Sequence, residues 1–250
     1  MGIIIKSPPE IDIMRQAGRI VAAILDVLKK RIEPGIITEE LDAITARELS
    51  RHGAISSFKG YRGFPANLCV SINDELVHGI PGKRVLEEGD IVSLDCGAVF
   101  QGFHGDAALT VGVGRISSQA EVLLKVTEGA LGAGIAAARS GARLGDISAA
   151  IQSFVESRGL SVVREYVGHG IGRQMHEDPQ IPNFGPPGQG PLLQKGMTLA
   201  LEPMVNAGGW RTKVSSTGWT VTTANGSLSA HFEQTIAITD GEAEILTKLD

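Results

Sequence analysis

Ile91-Val92-Ser93-Leu94-Asp95-Cys96-Gly97-Ala98-Val99-Phe100-Gln101-Gly102-Phe103-His104-Gly105-Asp106-Ala107-Ala108-Leu109-Thr110-Val111 is the stretch on which the fold turns. Two apolar runs rich in strand-forming residues flank a short polar and glycine-containing centre, the pattern of an antiparallel hairpin. One acid interrupts each run. With the turn centred on Phe100/Gln101, Asp95 and Asp106 face each other directly, Cβ atoms roughly 5 Å apart on one side of the sheet. Like charges so placed destabilise a sheet, so either the pair shares a proton or it holds a cation.

Working outward, the surroundings of the first acid recur. Leu86, Gly89, Leu94 and Asp95 return as Leu193, Gly196, Leu201 and Glu202 at an offset of 107, and Gly35 and Gly53 return as Gly141 and Gly159 at 106. Two segments agreeing on one offset point to an internal duplication that maps a carboxylate onto a carboxylate. Helix signals agree. Ser7-Pro8-Pro9-Glu10 is a capped start, followed by Ile11, Met14, Gly18, Val21, Leu25 and Leu28 on one face until Pro34-Gly35. Thr38 with Glu39 and Glu40 opens a second helix that Gly53 ends; a third opens at Ser118, and a fourth runs from about Asp146 to Gly159. Strand-like stretches fall at 68–72, 90–99 and 106–113 after the first helix pair, and at 161–164, 197–205 and 229–239 after the second. The order predicts an α+β chain: one domain over 1–250, built from duplicated halves 8–113 and 118–240, with its acids meeting between them near a pseudo-twofold axis. Gly185-Pro186-Pro187-Gly188-Gln189-Gly190-Pro191 lies inside the second half and reads as a rigid surface loop rather than a linker.

Glu202, in Thr198-Leu199-Ala200-Leu201-Glu202-Pro203, and Glu233, in Ala230-His231-Phe232-Glu233-Gln234-Thr235-Ile236, add two acids on apolar stretches. One such acid alone belongs by default on the exposed face of an edge strand. Four on core strands, two of them matched by the repeat, carry a charge that two divalent cations would neutralise. His169, between alternating glycines in Tyr166-Val167-Gly168-His169-Gly170-Ile171-Gly172-Arg173-Gln174-Met175-His176-Glu177, is the imidazole best placed to approach an ion. That run lacks the strand-to-helix context of a dinucleotide fingerprint, and no His-Glu-x-x-His occurs. Asp95, Asp106, His169, Glu202 and Glu233 are thus five candidate ligands for a dinuclear hydrolytic centre, and their oxygen-rich chemistry favours Mn, Fe(II) or Co over a closed zinc site. Two other histidines have plain structural roles, His52 ending a helix and His104 in the expected hairpin turn, while His231 shares a strand face with Glu233 and is either core or a support standing behind that acid.

Composition narrows the function classes. The 250 residues are 42% hydrophobic and 20% charged, which fits a globular chain and not a disordered one. Lys plus Arg number 23 against 28 Asp plus Glu, a net charge of −5 that gives no attraction for nucleic acid or an anionic membrane. The opening Met1-Gly2-Ile3-Ile4-Ile5-Lys6 is too short an apolar run for a signal peptide, and Lys6 stands where an N-myristoylation motif needs Ser or Thr. Two cysteines make no disulfide framework, so Asn225-Gly226-Ser227 reads as a polar turn and the chain as cytoplasmic. The 32 glycines against 4% aromatics suit many short strands and tight loops around a site.

The Asp-Asp-His-Glu-Glu order, Gly168-His169-Gly170-Ile171-Gly172 with His176-Glu177, and the duplicated α+β chain resemble the pita-bread metallopeptidases, and within them the type I methionine aminopeptidases. Lys6-Ser7-Pro8-Pro9-Glu10-Ile11, Met14 to Ile20, Cys69 to Glu75 with Val77-His78-Gly79-Ile80-Pro81, Gly218-Trp219-Thr220 and Ser227 to Ala230 carry the likeness along essentially the whole chain. The chain begins at the first helix, without the zinc-binding extension of some eukaryotic relatives, and is short for the helical insert of type II enzymes.

The resemblance implies a cytoplasmic metalloprotease that removes the N-terminal Met of nascent polypeptides near the ribosome, acts as a monomer and prefers a small second residue. A hydroxide bridging two divalent ions would attack the first peptide carbonyl. By the same resemblance Asp95 holds one ion, Asp106 and Glu233 bridge both, and His169 and Glu202 complete the other. His78 lies beside the scissile amide, His176 binds its carbonyl, and Glu202 shuttles the proton. Tyr61, Phe64, Cys69 and Trp219 form the Met pocket with Met175, which stands where bacterial relatives usually carry Phe. Asn73 and Ser229 help hold a monovalent cation in some relatives. Two rivals share the fold: Xaa-Pro aminopeptidases or prolidases, which usually carry an N-terminal domain, and non-catalytic binding proteins, which typically lose ligands.

Overall fold

The computed structural model describes residues 2–249; Met1, with the acylation reading of Met1-Gly2, and Asp250, the last residue of the expected domain, lie outside the described residues. The first half of the chain forms α1 (Pro8–Lys29), α2 (Thr38–Arg51), β1 (Ile55–Ser56), β2 (Cys69–Ile72), β3 (Glu75–Val77), β4 (Ile91–Phe100) and β5 (Phe103–Gly112). The second forms α3 (Ser118–Ala137), α4 (Leu144–Glu156), β6 (Ser161–Val162), β7 (Val167–Gly170), β8 (Glu177–Pro182), β9 (Thr198–Leu201) and β10 (Met204–Asn206). It continues through β11 (Thr212–Val214), β12 (Val221–Thr223), β13 (Ser229–His231), β14 (Glu233–Ala237) and β15 (Glu244–Ile245). No helix of the described residues is long and apolar enough to cross a membrane.

The β4–β5 hairpin forms, but its turn sits one residue later than expected. Phe100 pairs with Phe103, and Gln101 (φ 48°) and Gly102 (φ 80°) make a two-residue turn with both central φ values positive, the geometry that matches strand twist. The shift puts Asp95 opposite Ala108 and Asp106 opposite Gly97. The acids are therefore diagonal neighbours rather than directly opposed, still on one face because a two-residue step preserves the side of the strand.

A nine-stranded antiparallel sheet runs β1-β4-β5-β14-β9-β7-β8, with β2 on β4 and β15 on β14. Its centre is the β5–β14 seam, flanked by β4 on one side and β9 on the other, the strands that carry or precede Asp95 and Glu202. The helix pairs are seated alike. Gly35 N–H donates to Leu86 C=O at 2.8 Å and Gly141 N–H to Leu193 C=O at 3.0 Å. Isolated bridges join Ile37 to Val85 and Arg143 to Leu192. All six repeated glycines, Gly35, Gly53 and Gly89 with Gly141, Gly159 and Gly196, hold positive φ, the conformation in which glycine has no steric cost. Helix α4 starts at Leu144, earlier than expected, because Asp146 is the third helical residue and reaches back to accept from Arg143 N–H at 2.8 Å.

Two expected strands are broken where acids lie. The stretch 197–205 divides into β9 and β10 at Glu202-Pro203, and 229–239 into β13 and β14 at Phe232. Proline has no N–H to continue a ladder; Phe232 N–H instead donates to Pro203 C=O at 3.3 Å. β9 and β14 stay in the large sheet while β10 and β13 join β6 in a second, three-stranded one.

Helix α1 starts as its sequence indicates, with the Glu10 carboxylate accepting from Ser7 N–H at 3.0 Å and from its hydroxyl at 2.9 Å. Met14, Ala17, Val21, Ile24 and Leu28 are buried against the sheet. The helix comes close only because two glycines permit it: a Cβ on Gly105 would lie 2.8 Å from Gly18 N, and one on Gly18 would lie 2.3 Å from Leu246 O. Gly18→Ala should therefore destabilise the fold by roughly 1–3 kcal/mol through overpacking against backbone. A denaturant midpoint unchanged from that of the parent chain would contradict this seating of α1.

Candidate metal centre

The acids converge because their strands are in register. Ala108 on β5 pairs with Asp95 on β4 and with Glu233 on β14, so the two acids flank one small side chain on a common face. Asp106, two residues along β5, shares that face. On the other side of the seam Ala200 on β9 pairs with His169 on β7, and Glu202 lies two residues beyond it. The alanine methyls leave a hollow over which the larger polar groups lean.

Asp106, His169 and Glu233 each offer a ligand atom within 4.8 Å of the others, and Glu202 Oε1 is 3.6 Å from His169 Nε2. His169 Nδ1 lies 2.9 Å from Gly170 C=O, which can only accept, so the proton is on Nδ1 and the Nε2 lone pair is free. Burial lowers the His169 pKa to about 4, keeping the ring neutral. Burial also raises Asp95 to about 7, and burial followed by mutual repulsion holds Asp106, Glu202 and Glu233 well above the usual carboxylate range. Asp95 Oδ1 and Asp106 Oδ1 are buried without a hydrogen-bond partner. Orphaned carboxyl oxygens beside a free imidazole lone pair fit a divalent cation, which displaces the carboxyl protons and is coordinated by both.

Beside the acids opens a cavity of about 180 Å³ lined by all seven expected substrate-pocket residues, Tyr61, Phe64, Cys69, His78, Met175, His176 and Trp219. Phe64, Cys69 and Met175 are buried in one apolar cluster with Phe58 and Ala66, and Tyr61 and Trp219 pack on it. The Phe64 and Trp219 rings meet edge to face at 5.2 Å. His176 Nδ1 is 3.0 Å from the Tyr61 hydroxyl, and its ring lies 4.3 Å from that of His169. His78 closes the other side at positive φ (60°), held edge-on by Tyr166 and Trp219, and burial lowers its pKa. A non-glycine residue in the left-handed region is strained backbone of the kind that clusters at functional sites.

Two lining residues escaped the sequence reading, Phe58 and Arg62. Their signal is in Phe58-Lys59-Gly60-Tyr61-Arg62-Gly63-Phe64, where aromatics at every third position alternate with left-handed Gly60 and Gly63. His104 is not in the hairpin turn but on β5, its Nδ1 2.8 Å from Ser57 Oγ. His52 caps α2, as expected. Asn73 and Ser229 are neighbours: Ser229 N–H donates to Asn73 C=O at 2.8 Å. Asn225 Oδ1 accepts from Ser227 N–H at 3.2 Å, a polar turn.

The loop bearing Met175 and His176 is tied down from beneath. Lys6 Nζ lies 2.5 Å from Glu177 Oε2 with both side chains almost fully buried, and Glu177 Oε1 accepts from Gln174 N–H at 3.1 Å. Breaking a buried pair strands a charge, so Lys6→Met should cost about 3–5 kcal/mol in chemical denaturation. Adding Glu177→Gln should recover much of that loss; a strictly additive double variant would show the pair to be uncoupled.

Comparison with known proteins gives a consistent likeness. The family model described as metallopeptidase family M24 matches residues 12–240. The chain is 57% identical over 247 residues to methionine aminopeptidase 1 of Bacillus subtilis, covering 99% of this chain and 100% of that one. Its structure is similar to the crystal structure of methionine aminopeptidase from Thermotoga maritima, with a TM-score of 0.98 at 50% identity over 99% and 100% of the two chains. Prolidase from Pyrococcus furiosus, at 22% identity, a TM-score of 0.80 and 99% and 66% coverage, shares the fold alone.

Proposed function

This chain belongs to metallopeptidase family M24, and on that premise we propose that it is a metal-dependent aminopeptidase that removes the N-terminal methionine from peptides and nascent proteins. The observation that carries the reading is one cavity whose floor is carboxylate and imidazole and whose wall is an apolar cluster containing Phe64, Met175 and Trp219. That wall suits an unbranched thioether side chain, and sulfur–aromatic contacts favour it.

Asp95, Asp106, His169, Glu202 and Glu233 would hold two divalent ions of the Co, Mn or Fe(II) class. Ions there would supply Lewis acidity and a water of lowered pKa. The chain's own groups do the rest. The Nδ1–H bond of His169 to Gly170 C=O fixes the tautomer and leaves the Nε2 lone pair, beside Glu202, for an ion. Tyr61 orients His176, which donates to the substrate carbonyl, and His78 borders the amide from the opposite wall. Glu202, raised in pKa by burial, carries a proton to the leaving amine. The aromatic wall excludes water from the methionine side chain.

The chain acts as one domain of duplicated halves, 8–113 and 118–240, in the cytoplasm, as a monomer that meets its substrates near the ribosome and prefers a small residue after Met. Asn73 and Ser229 would help hold a monovalent cation. The test is hydrolysis of Met-Gly-X peptides by apoprotein reconstituted with each divalent ion in turn, against Ala-Pro-X as the competing substrate. Cleavage of the first alone is expected. Preference for Ala-Pro-X would favour a prolidase-like enzyme, and metal-loaded protein inert to both a binding protein.

A further inference from the structure

His231 is the buried group that the mechanism above does not use. It is 1% exposed, and neither ring nitrogen has a hydrogen-bond partner. Its Nε2 faces two carboxylates at once, 3.9 Å from Glu202 Oε2 and 3.8 Å from Glu233 Oε2. The ring is not among the groups lining the substrate cavity; it sits where β10 pairs with β13, Met204 opposite His231, so both acids are within two residues of this pair. The mount is rigid. His231 N–H donates to Thr110 Oγ1 at 2.9 Å, Thr110 Oγ1 lies 2.8 Å from His231 C=O, and Ser93 Oγ is 2.8 Å from the same threonine hydroxyl.

An imidazole buried at such a place is a cost to the fold unless a partner is supplied. A neutral ring carries one N–H. At Nδ1 it meets no acceptor among the described residues; at Nε2 it meets two. We infer that His231 is a positioning residue of the metal centre: its Nε2–H is the donor that orients the carboxylates of Glu202 and Glu233 for the ions they hold. The inference rests on the reading of those two acids as ligands. The present separations exceed a hydrogen bond and need a closure of about 1 Å to reach ~2.9 Å, a distance within the swing of a glutamate side chain. Ligating carboxylates are commonly held by such outer donors, and loss of one costs ~10–100-fold in metal affinity or activity.

The test titrates Mn²⁺ and Co²⁺ calorimetrically into metal-free parent protein, His231→Leu and His231→Gln, with the melting temperature of each metal-free form measured beside it. His231→Leu should weaken metal binding ~10–100-fold without lowering the metal-free melting temperature, since it removes an unsatisfied polar group. His231→Gln, which restores an N–H at similar reach, should bind within a few-fold of the parent. Parent-like affinity in His231→Leu, or equal losses in both variants, would overturn the inference while leaving the metal centre standing. A parent protein that binds neither ion would remove the metal centre and this role with it. Should His231→Leu fail to fold, nitrogen-15 spectra of the parent decide: a proton on Nε2 of His231 supports the role and a proton on Nδ1 overturns it.

Discussion

Asp106→Asn will lose Met-peptide hydrolysis by roughly 10³-fold or more and will melt at a higher temperature than the parent when both are metal-free. The two effects have one cause. Asp106 is buried, its Oδ1 has no partner, and burial together with Asp95 and Glu202 holds its pKa well above the usual carboxylate range. A charge in that position is a cost to the empty fold, and an amide of the same shape relieves it. The same charge is what a cation needs, and without it the generated nucleophile and the neutralised cluster are lost. Glu202→Gln should behave alike, because proton transfer in the transition state contributes about 10²–10⁴-fold. Activity and metal-free melting must move in opposite directions. A variant that is both less active and less stable would mean that Asp106 serves packing and not an ion.

Removing the metal should destabilise the chain more at pH 8.5 than at pH 6.5. Burial raises the Asp95 pKa from 3.8 to about 7, and the other three acids lie well above their usual range. A carboxyl whose folded pKa is raised gives stability that is complete below the unfolded value and is lost as pH rises through the folded one. Histidines act oppositely: His169 and His231, lowered to about 4 and about 3, contribute stability above 6.5 that is lost on acidification. Above pH 6.5 the imidazoles are neutral in both states, and only the carboxyls change. Each carboxyl proton that the metal-free fold keeps and the unfolded chain has already lost costs up to about 1.4 kcal/mol per pH unit, while the loaded protein holds its carboxylates ionised and is spared. Melting of loaded and metal-free protein at pH 6.5, 7.5 and 8.5 measures this directly. The gap between them should widen with pH; a constant gap would show the carboxyls to be unperturbed in the fold.

The site was more legible in the sequence than the strands that build it. Acids set into apolar runs stand out because a sheet interior has no use for a bare carboxylate, and the repeat that carries Asp95 to Glu202 is seen again in Gly35/Gly141 between the paired helices and Gly53/Gly159 after them, all at positive φ. The hairpin register was misplaced because the turn depends on the positive φ of Gln101, a residue with no strong turn signature of its own. The breaks at Pro203 and Phe232 were hidden because two apolar strands joined through one residue read as a single longer strand. Lys6 and Glu177 could not be paired from spacing at all, since the chain between them runs through both halves. Phe58 and Arg62 line the cavity through the left-handed loop that bends them inward, a tertiary consequence that periodicity does not carry.

The most direct measurement is anomalous diffraction from a crystal soaked in manganese or cobalt. Two peaks within coordination distance of Asp95, Asp106, His169, Glu202 and Glu233 are predicted. Ions found only elsewhere on the molecule, with these five side chains unbound, would contradict the account.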